Sequence, residues 1–209
     1  MPEPAGLFGG AFDPPHDGHV ALVRAAIERF RLARVVVVVT GDPPHKDVTT
    51  DRWTRAELAR AAFEGLPRIE FAEFELERAG PSYTVDTVRW AAERWGDVIF
   101  LVGADEFAEF LSWREPDAVL AYAELGVATR PGFPRERLER VLAALSAPDR
   151  VHFFEIPALP ISSRQLRETV AKGESIAELV PPPVAALIAE RGLYRCYPET
   201  SDGQGRSTS

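Results

Sequence analysis

Residues 35–39 are five consecutive valines. A strand with one face in water would waste half of such a run, and a helix would lose the side-chain freedom of every β-branched residue in it. Five residues also fall far short of a membrane span. The run therefore predicts a strand buried on both faces, the condition of an interior strand in a parallel sheet. Parallel neighbours cannot be joined by tight turns, so helices are expected between the strands.

The remaining sequence follows that alternation. AGLF at residues 5–8 is a short apolar run ending at Gly9 and Gly10, and HVALVRAAIERF after it carries Val20, Val23, Ala26, Ile27 and Phe30 at helical spacing. Beyond the valines come a helix with Asp51 near its start, a strand in RIEFAEFEL, the helix TVDTVRWAAERW and a strong apolar strand in DVIFLVG. GVAT, RERLERVLAAL, VHFFEI, SSRQLRETVAKG and PPPVAALIAERG extend the alternation, with Gly173 closing the fourth of these and Pro183 opening the fifth. The expectation is one doubly wound parallel α/β domain over residues 1–197, with the polar, aperiodic residues 198–209 as a disordered tail.

Charge narrows the partners. With 24 basic and 32 acidic side chains the formal charge is -8, which argues against a broad footprint for nucleic acid or anionic lipid. An anionic ligand must then be met by a local cluster. The single cysteine, Cys196, allows no internal disulfide, no apolar run reaches membrane length, and MPEPAGLFGG lacks the regions of a signal peptide, so a cytoplasmic location is expected.

In a parallel sheet, ligands lie beyond the carboxyl ends of the strands, which directs attention to four loops, carrying GGAFDPPHDGH, TGDPPHK, GADE and PALPISSRQLR. The first is GGAFDPPHDGH, where Gly9 and Gly10 permit close backbone approach and His16 and His19 flank the start of a helix. Histidines that merely cap the helix, or a zinc site built on the His-x-x-His spacing, compete with a phosphate site. The zinc reading lacks cysteine partners and an H-E-x-x-H frame. Imidazoles and backbone amides that donate toward anionic charge favour phosphate. The second loop adds His45 and Lys46, and PISSRQLR adds the hydroxyls of Ser162 and Ser163 as helix N-caps, with Arg164 and Arg167 in the first turns. Arginine there opposes the helix dipole unless a polyphosphate occupies the helix start. Asp13 reads as no more than the holder of an Asp-Pro turn.

These motifs resemble a known family. GGAFDPPHDGH is similar to the H-x-G-H signature of the nucleotidyltransferase superfamily, and PISSRQLR to its I-S-S-x-x-x-R partner. Together with PPHK, ERAGPSYTVDTV, LVGADEFAEFLSW, TRPGF and LVPPPVAALIAERGLY, in that order over residues 5–195, they resemble the bacterial nicotinate-nucleotide adenylyltransferases.

The resemblance implies a Rossmann-like nucleotidyltransferase fold and a reaction in which ATP and nicotinate mononucleotide give deamido-NAD and pyrophosphate, with Mg2+ accompanying ATP. It implies catalytic roles for His16, His19, Lys46 and Arg167, and ATP contacts from Gly9, Gly10, His16, His19, Gly103, Asp105, Ser162, Ser163 and Arg167. It places His45, Lys46, Tyr83, Thr84 and Trp113 around the mononucleotide; no protein metal ligand is nominated. Two departures stand out: Arg164 occupies a position where threonine is common in the family, and TGD precedes PPHK where PSG or similar is common. On the residues alone, Trp113 also reads as a packing residue at a helix end, and Thr84 as the N-cap of the following helix. A related adenylyltransferase with a different acceptor, or a nucleotide sensor without catalysis, would share the phosphate motifs. Backbone N–H groups near Tyr83 and Thr84 lead to the expectation that the acid is preferred over the amide acceptor.

Overall fold

In the computed structural model, which describes residues 3–44 and 48–195, β1 (Ala5–Gly10) runs into α1 (Asp17–Phe30), and the valine run forms β2 (Arg34–Val39). There follow α2 (Arg52–Phe63), β3 (Ile69–Ala72), α3 (Thr84–Trp95), β4 (Val98–Gly103), α4 (Ala104–Phe107) and α5 (Pro116–Tyr122). The chain ends with β5 (Glu124–Thr129), α6 (Arg135–Ala144), β6 (Val151–Glu155), α7 (Ser163–Ala171) and α8 (Pro182–Arg191). The expected disordered tail, with Cys196, and the pair His45 and Lys46 lie outside the described residues.

All strand pairs are parallel and the order is β3-β2-β1-β4-β5-β6. The five valines are buried, as a central strand requires. Their alternation divides them between the two faces. Val35, Val37 and Val39 join the core under α1, α2 and α8, whereas Val36 and Val38 join the one under α3 and α5. The strand order reverses between β1 and β4, which opens a crevice at their carboxyl ends.

Two expectations are corrected. The third strand ends at Ala72, and residues 74–76 leave the sheet in a turn that carries Glu75. The segment after β4, read as loop, contains α4 and α5 with a short 3-10 turn at Phe110–Ser112 between them. These pieces are too short for the periodic pattern that betrays a longer helix.

Candidate active site

The phosphate end is organised by the start of α1. His16 is its N-cap, and His19 reaches back so that its Nδ1 accepts the His16 backbone N–H at 3.1 Å. In a neutral ring that arrangement leaves the proton on Nε2, a donor. The two imidazoles stack with centroids 3.8 Å apart. The intervening glycine is dictated by this stack: a Cβ on Gly18 would stand 3.0 Å from His16 Nδ1. Burial lowers the His16 pKa to about 4, so the ring is neutral near pH 7, and its buried Nδ1 has no hydrogen-bond partner among the described residues. Phe12 lies edge-on to His19 at 5.3 Å. Gly10 makes room for that phenyl ring, since a Cβ there would meet it at 2.8 Å.

Beyond the edge strand β6 and on the same face as α1, α7 presents its own start. Ser162 caps it by accepting the Gln165 N–H, whereas Ser163, expected as a second cap, is the first helical residue and donates to the Pro14 carbonyl at 2.8 Å. Arg167 donates to the Asp13 carbonyl at 2.7 Å, which holds α7 against the first loop. Arg164 stands at the rim of the cleft, 83% exposed and paired with Glu168, so α7 brings one enclosed cation to this end. These groups line a cleft of about 830 Å³ with Gly9, Gly10, Gly103 and Asp105. Asp105 is further held by Arg130 at 2.9 Å.

A smaller pocket of about 140 Å³ opens beside it, lined by Tyr83, Thr84, Thr87, Trp113, Arg114 and Glu75 among others. Tyr83, not Thr84, is the N-cap of α3, and it makes no side-chain capping bond. The Asp86 and Thr87 N–H groups bond back to the Tyr83 carbonyl, so those of Thr84 and Val85 are the ones that helix geometry leaves without a partner inside α3. Trp113 packs edge-on against Phe100 and Phe110 while lining both cavities, so packing and pocket wall are one role. The two cavities share Gly9, Gly10, Ala11, Phe100, Glu106 and Trp113. They are adjoining halves of one site over the end of β1.

Such a two-part cleft at the strand-order reversal of a parallel sheet is matched in sequence and in structure. The cytidylyltransferase-like family matches residues 7–169. A probable nicotinate-nucleotide adenylyltransferase of Moorella thermoacetica is 39% identical over 93% of each chain, and one of Thermus thermophilus is 38% identical over 91% of this chain and 98% of the relative. The chain belongs to this nucleotidyltransferase family. Its fold superposes on Plasmodium falciparum nicotinic acid mononucleotide adenylyltransferase complexed with NaAD with a TM-score of 0.74, at 19% identity, over 92% and 98% of the two chains.

Three further residues of this nucleotidyltransferase escaped the sequence reading. Asp13, taken as a turn holder, is 2% exposed and is a hub: its carboxylate accepts the Thr49 N–H at 2.7 Å, the Thr49 hydroxyl at 3.1 Å and the Tyr194 hydroxyl at 2.7 Å. Arg55, 1% exposed on α2, donates to the carbonyls of Ala11, Thr40, Gly41 and Thr50 at 2.7–3.1 Å. It fastens the loop after β1 to the loop after β2. Tyr194 ties the chain beyond α8 into the same network, and burial raises its pKa. Asp13 and Tyr194 carried a local signal, their places inside GGAFDPPHDGH and at the end of LVPPPVAALIAERGLY. Arg55 sits in DRWTRAELARAAF, a segment whose charges otherwise face solvent.

Proposed function

We propose that the enzyme transfers AMP from ATP to nicotinate mononucleotide, giving deamido-NAD and pyrophosphate, a step of NAD synthesis. The observation that carries this reading is the paired cleft: a phosphate-suited half around His16, His19, Ser162, Ser163 and Arg167, meeting an aromatic half around Tyr83 and Trp113 across the β1 glycines. A reaction that joins two nucleotides needs two such halves with one shared boundary.

Transfer is direct. A phosphate oxygen of the mononucleotide attacks the α-phosphorus of ATP, the bond from that phosphorus to the bridging oxygen breaks in line, and pyrophosphate carries away the electron pair. The chain positions both partners and meets growing negative charge with donors already in place: His19 Nε2–H and the Arg167 guanidinium. His45 and Lys46 are assigned to the phosphates of the same centre, as the family resemblance implies.

Magnesium enters with ATP and offsets charge on the departing pyrophosphate. The donor set does not form a cation cage. Asp13 is already engaged by Thr49 and Tyr194 and Asp105 by Arg130, and no group of three or more potential metal ligands forms among the described residues, so no step is routed through a protein-held metal. The acid acceptor is preferred, since the N–H groups of the first turn of α3, which the Tyr83 side chain does not cap, match a carboxylate and oppose the amide's own donors.

Pyrophosphate release from ATP with nicotinate or nicotinamide mononucleotide tests the reading, together with the configuration at a chiral α-phosphorothioate. Release with the acid and inversion at phosphorus are expected. Retention would exclude direct displacement, and ATP binding without pyrophosphate release would leave a sensor.

A further inference from the structure

The pocket assigned to the acceptor holds a carboxyl group, which is an odd neighbour for an acidic ligand. Glu75 sits in the turn after β3 and is 7% exposed. Its Oε1 accepts the Thr87 hydroxyl at 2.6 Å, and its Oε2 is buried with no hydrogen-bond partner among the described residues. The turn packs tightly against the loop after β2. Gly41 abuts it so closely that a Cβ there would stand 2.2 Å from the Glu75 carbonyl oxygen.

A buried carboxylate normally collects several donors, because an ion without them forfeits far more solvation than a neutral acid does. The Thr87 hydroxyl is its one closely aligned donor, with the Ser82 hydroxyl and the Gly41 N–H nearby, and Oε2 stays unpaired among the described residues, a set that serves the ion incompletely. We propose, building on the acceptor assigned above, that Glu75 is a specificity residue of this pocket, uncharged when the acidic mononucleotide binds and hostile to it once ionised. The amide acceptor carries no charge at that position and is indifferent to the change.

The surroundings bear on when Glu75 ionises. Burial raises its pKa, and the Thr87 and Ser82 hydroxyls, the Gly41 N–H and the Arg78 charge offset part of that rise. Arg78 is itself engaged with Asp86 at 3.7 Å. From α2, Arg52 donates to the Leu76 and Arg78 carbonyls, and from the β2 loop Asp42 is exposed. Across the pocket stand Glu106, which has a partner of its own, and Arg114, whose guanidinium lies 4.6 Å from the centroid of the Tyr83 ring. Arg114 supplies a positive wall, and Glu75 decides whether a negative one opposes it.

The test is the ratio of kcat/KM for nicotinate over nicotinamide mononucleotide, measured from the ordinary carboxylate range upward across the pH interval in which the protein stays folded. The acceptor phosphate is common to both ligands, so its own titration cancels. The ratio is expected to fall roughly tenfold or more as pH rises, the size of a like-charge contact at a partly screened site. In Glu75→Gln the slope should vanish, and in Thr87→Val, which removes the donor favouring the ion, the fall should move to higher pH. Infrared difference spectra of the ligand-free protein give a reading independent of turnover: a protonated carboxyl band just above the ordinary carboxylate range that Glu75→Gln abolishes. A flat ratio in the unmodified protein, a slope surviving in Glu75→Gln, or no such band would each overturn the proposal. Absence of turnover with both mononucleotides would overturn the adenylyl-transfer reading and the specificity role with it, whereas a missing band overturns the assignment of Glu75 alone.

Discussion

The two halves of the cleft are built by different means. At the phosphate end, side chains from distant parts of the chain lock together by polar contacts: Arg167 on the Asp13 carbonyl, Ser163 on the Pro14 carbonyl, Tyr194 and Thr49 on the Asp13 carboxylate. The acceptor end relies on aromatic packing, with Trp113 against Phe100 and Phe110 and Arg114 over Tyr83, and it leaves a buried carboxyl oxygen unpaired. The contrast follows the chemistry. Charge that develops on phosphate during transfer rewards donors fixed in advance, and fixing them takes a dense network. Recognition of a flat ring rewards an apolar wall with a few placed polar groups.

The strongest way to break the comparison is His19→Ala. If the phosphate end acts mainly on the transition state, kcat should drop about 10²–10³-fold while ATP affinity changes only a few-fold. Single-turnover kinetics and calorimetric titration of ATP would show it. A loss confined to ATP affinity would place His19 in ground-state binding and erase the asserted difference between the ends.

Arg55 joins the two halves, so its removal should damage both. Arg55→Met leaves four backbone carbonyls without their shared donor, in a site from which burial already draws the arginine pKa down. The expected loss is roughly 3–5 kcal/mol in urea denaturation, at the upper end for a single substitution. Arg55→Lys should recover little of it, since one ammonium cannot reach carbonyls on both loops. A loss under about 1 kcal/mol would mean that water substitutes readily for the guanidinium.

This dependence on tertiary partners also explains what could be read from the sequence. The valine run and the strand–helix alternation carry the sheet, because burial on both faces is a local, compositional demand. His16, His19, Ser162, Ser163, Arg167, Gly103, Asp105, Tyr83, Thr84 and Trp113 could be named because short motifs carry them, and the fold gathers them at one crevice. Arg55 and Glu75 could not, nor could the role of Tyr194. Each is defined by partners that only the folded chain supplies, and in sequence the first two look like ordinary surface residues. The exposed, rim position of Arg164 is equally invisible, since it directly follows Ser163 and the N-cap Ser162 in the chain.

A smaller effect comes from His16. Its pKa near 4 in the folded protein lies below the ordinary value of 6.5, so the unfolded chain binds the extra proton first. Stability is then fully present above about pH 6.5 and declines as pH falls toward about 4, by up to about 3 kcal/mol over the whole interval. His16→Gln should flatten that part of the stability profile. An unchanged slope would show that another group governs acid unfolding, and that the buried imidazole is not the sensitive point of the phosphate end.

The mildest and most selective probe is Tyr194→Phe. The substitution deletes one hydroxyl, which donates to the Asp13 carboxylate at 2.7 Å, and keeps the ring in place. A hydrogen bond to a buried charged group contributes about 1.5–3 kcal/mol, and the two Thr49 contacts remain to hold Asp13, so about 1 kcal/mol of stability should be lost. The informative part is where else the change is felt. Asp13 presents its backbone carbonyl to Arg167, so loosening Asp13 should loosen that guanidinium and raise the KM for ATP a few-fold. The acceptor pocket shares none of these bonds, and the KM for the mononucleotide should stay within experimental error. An equal rise in both constants would show that the halves, though built differently, respond as one rigid unit.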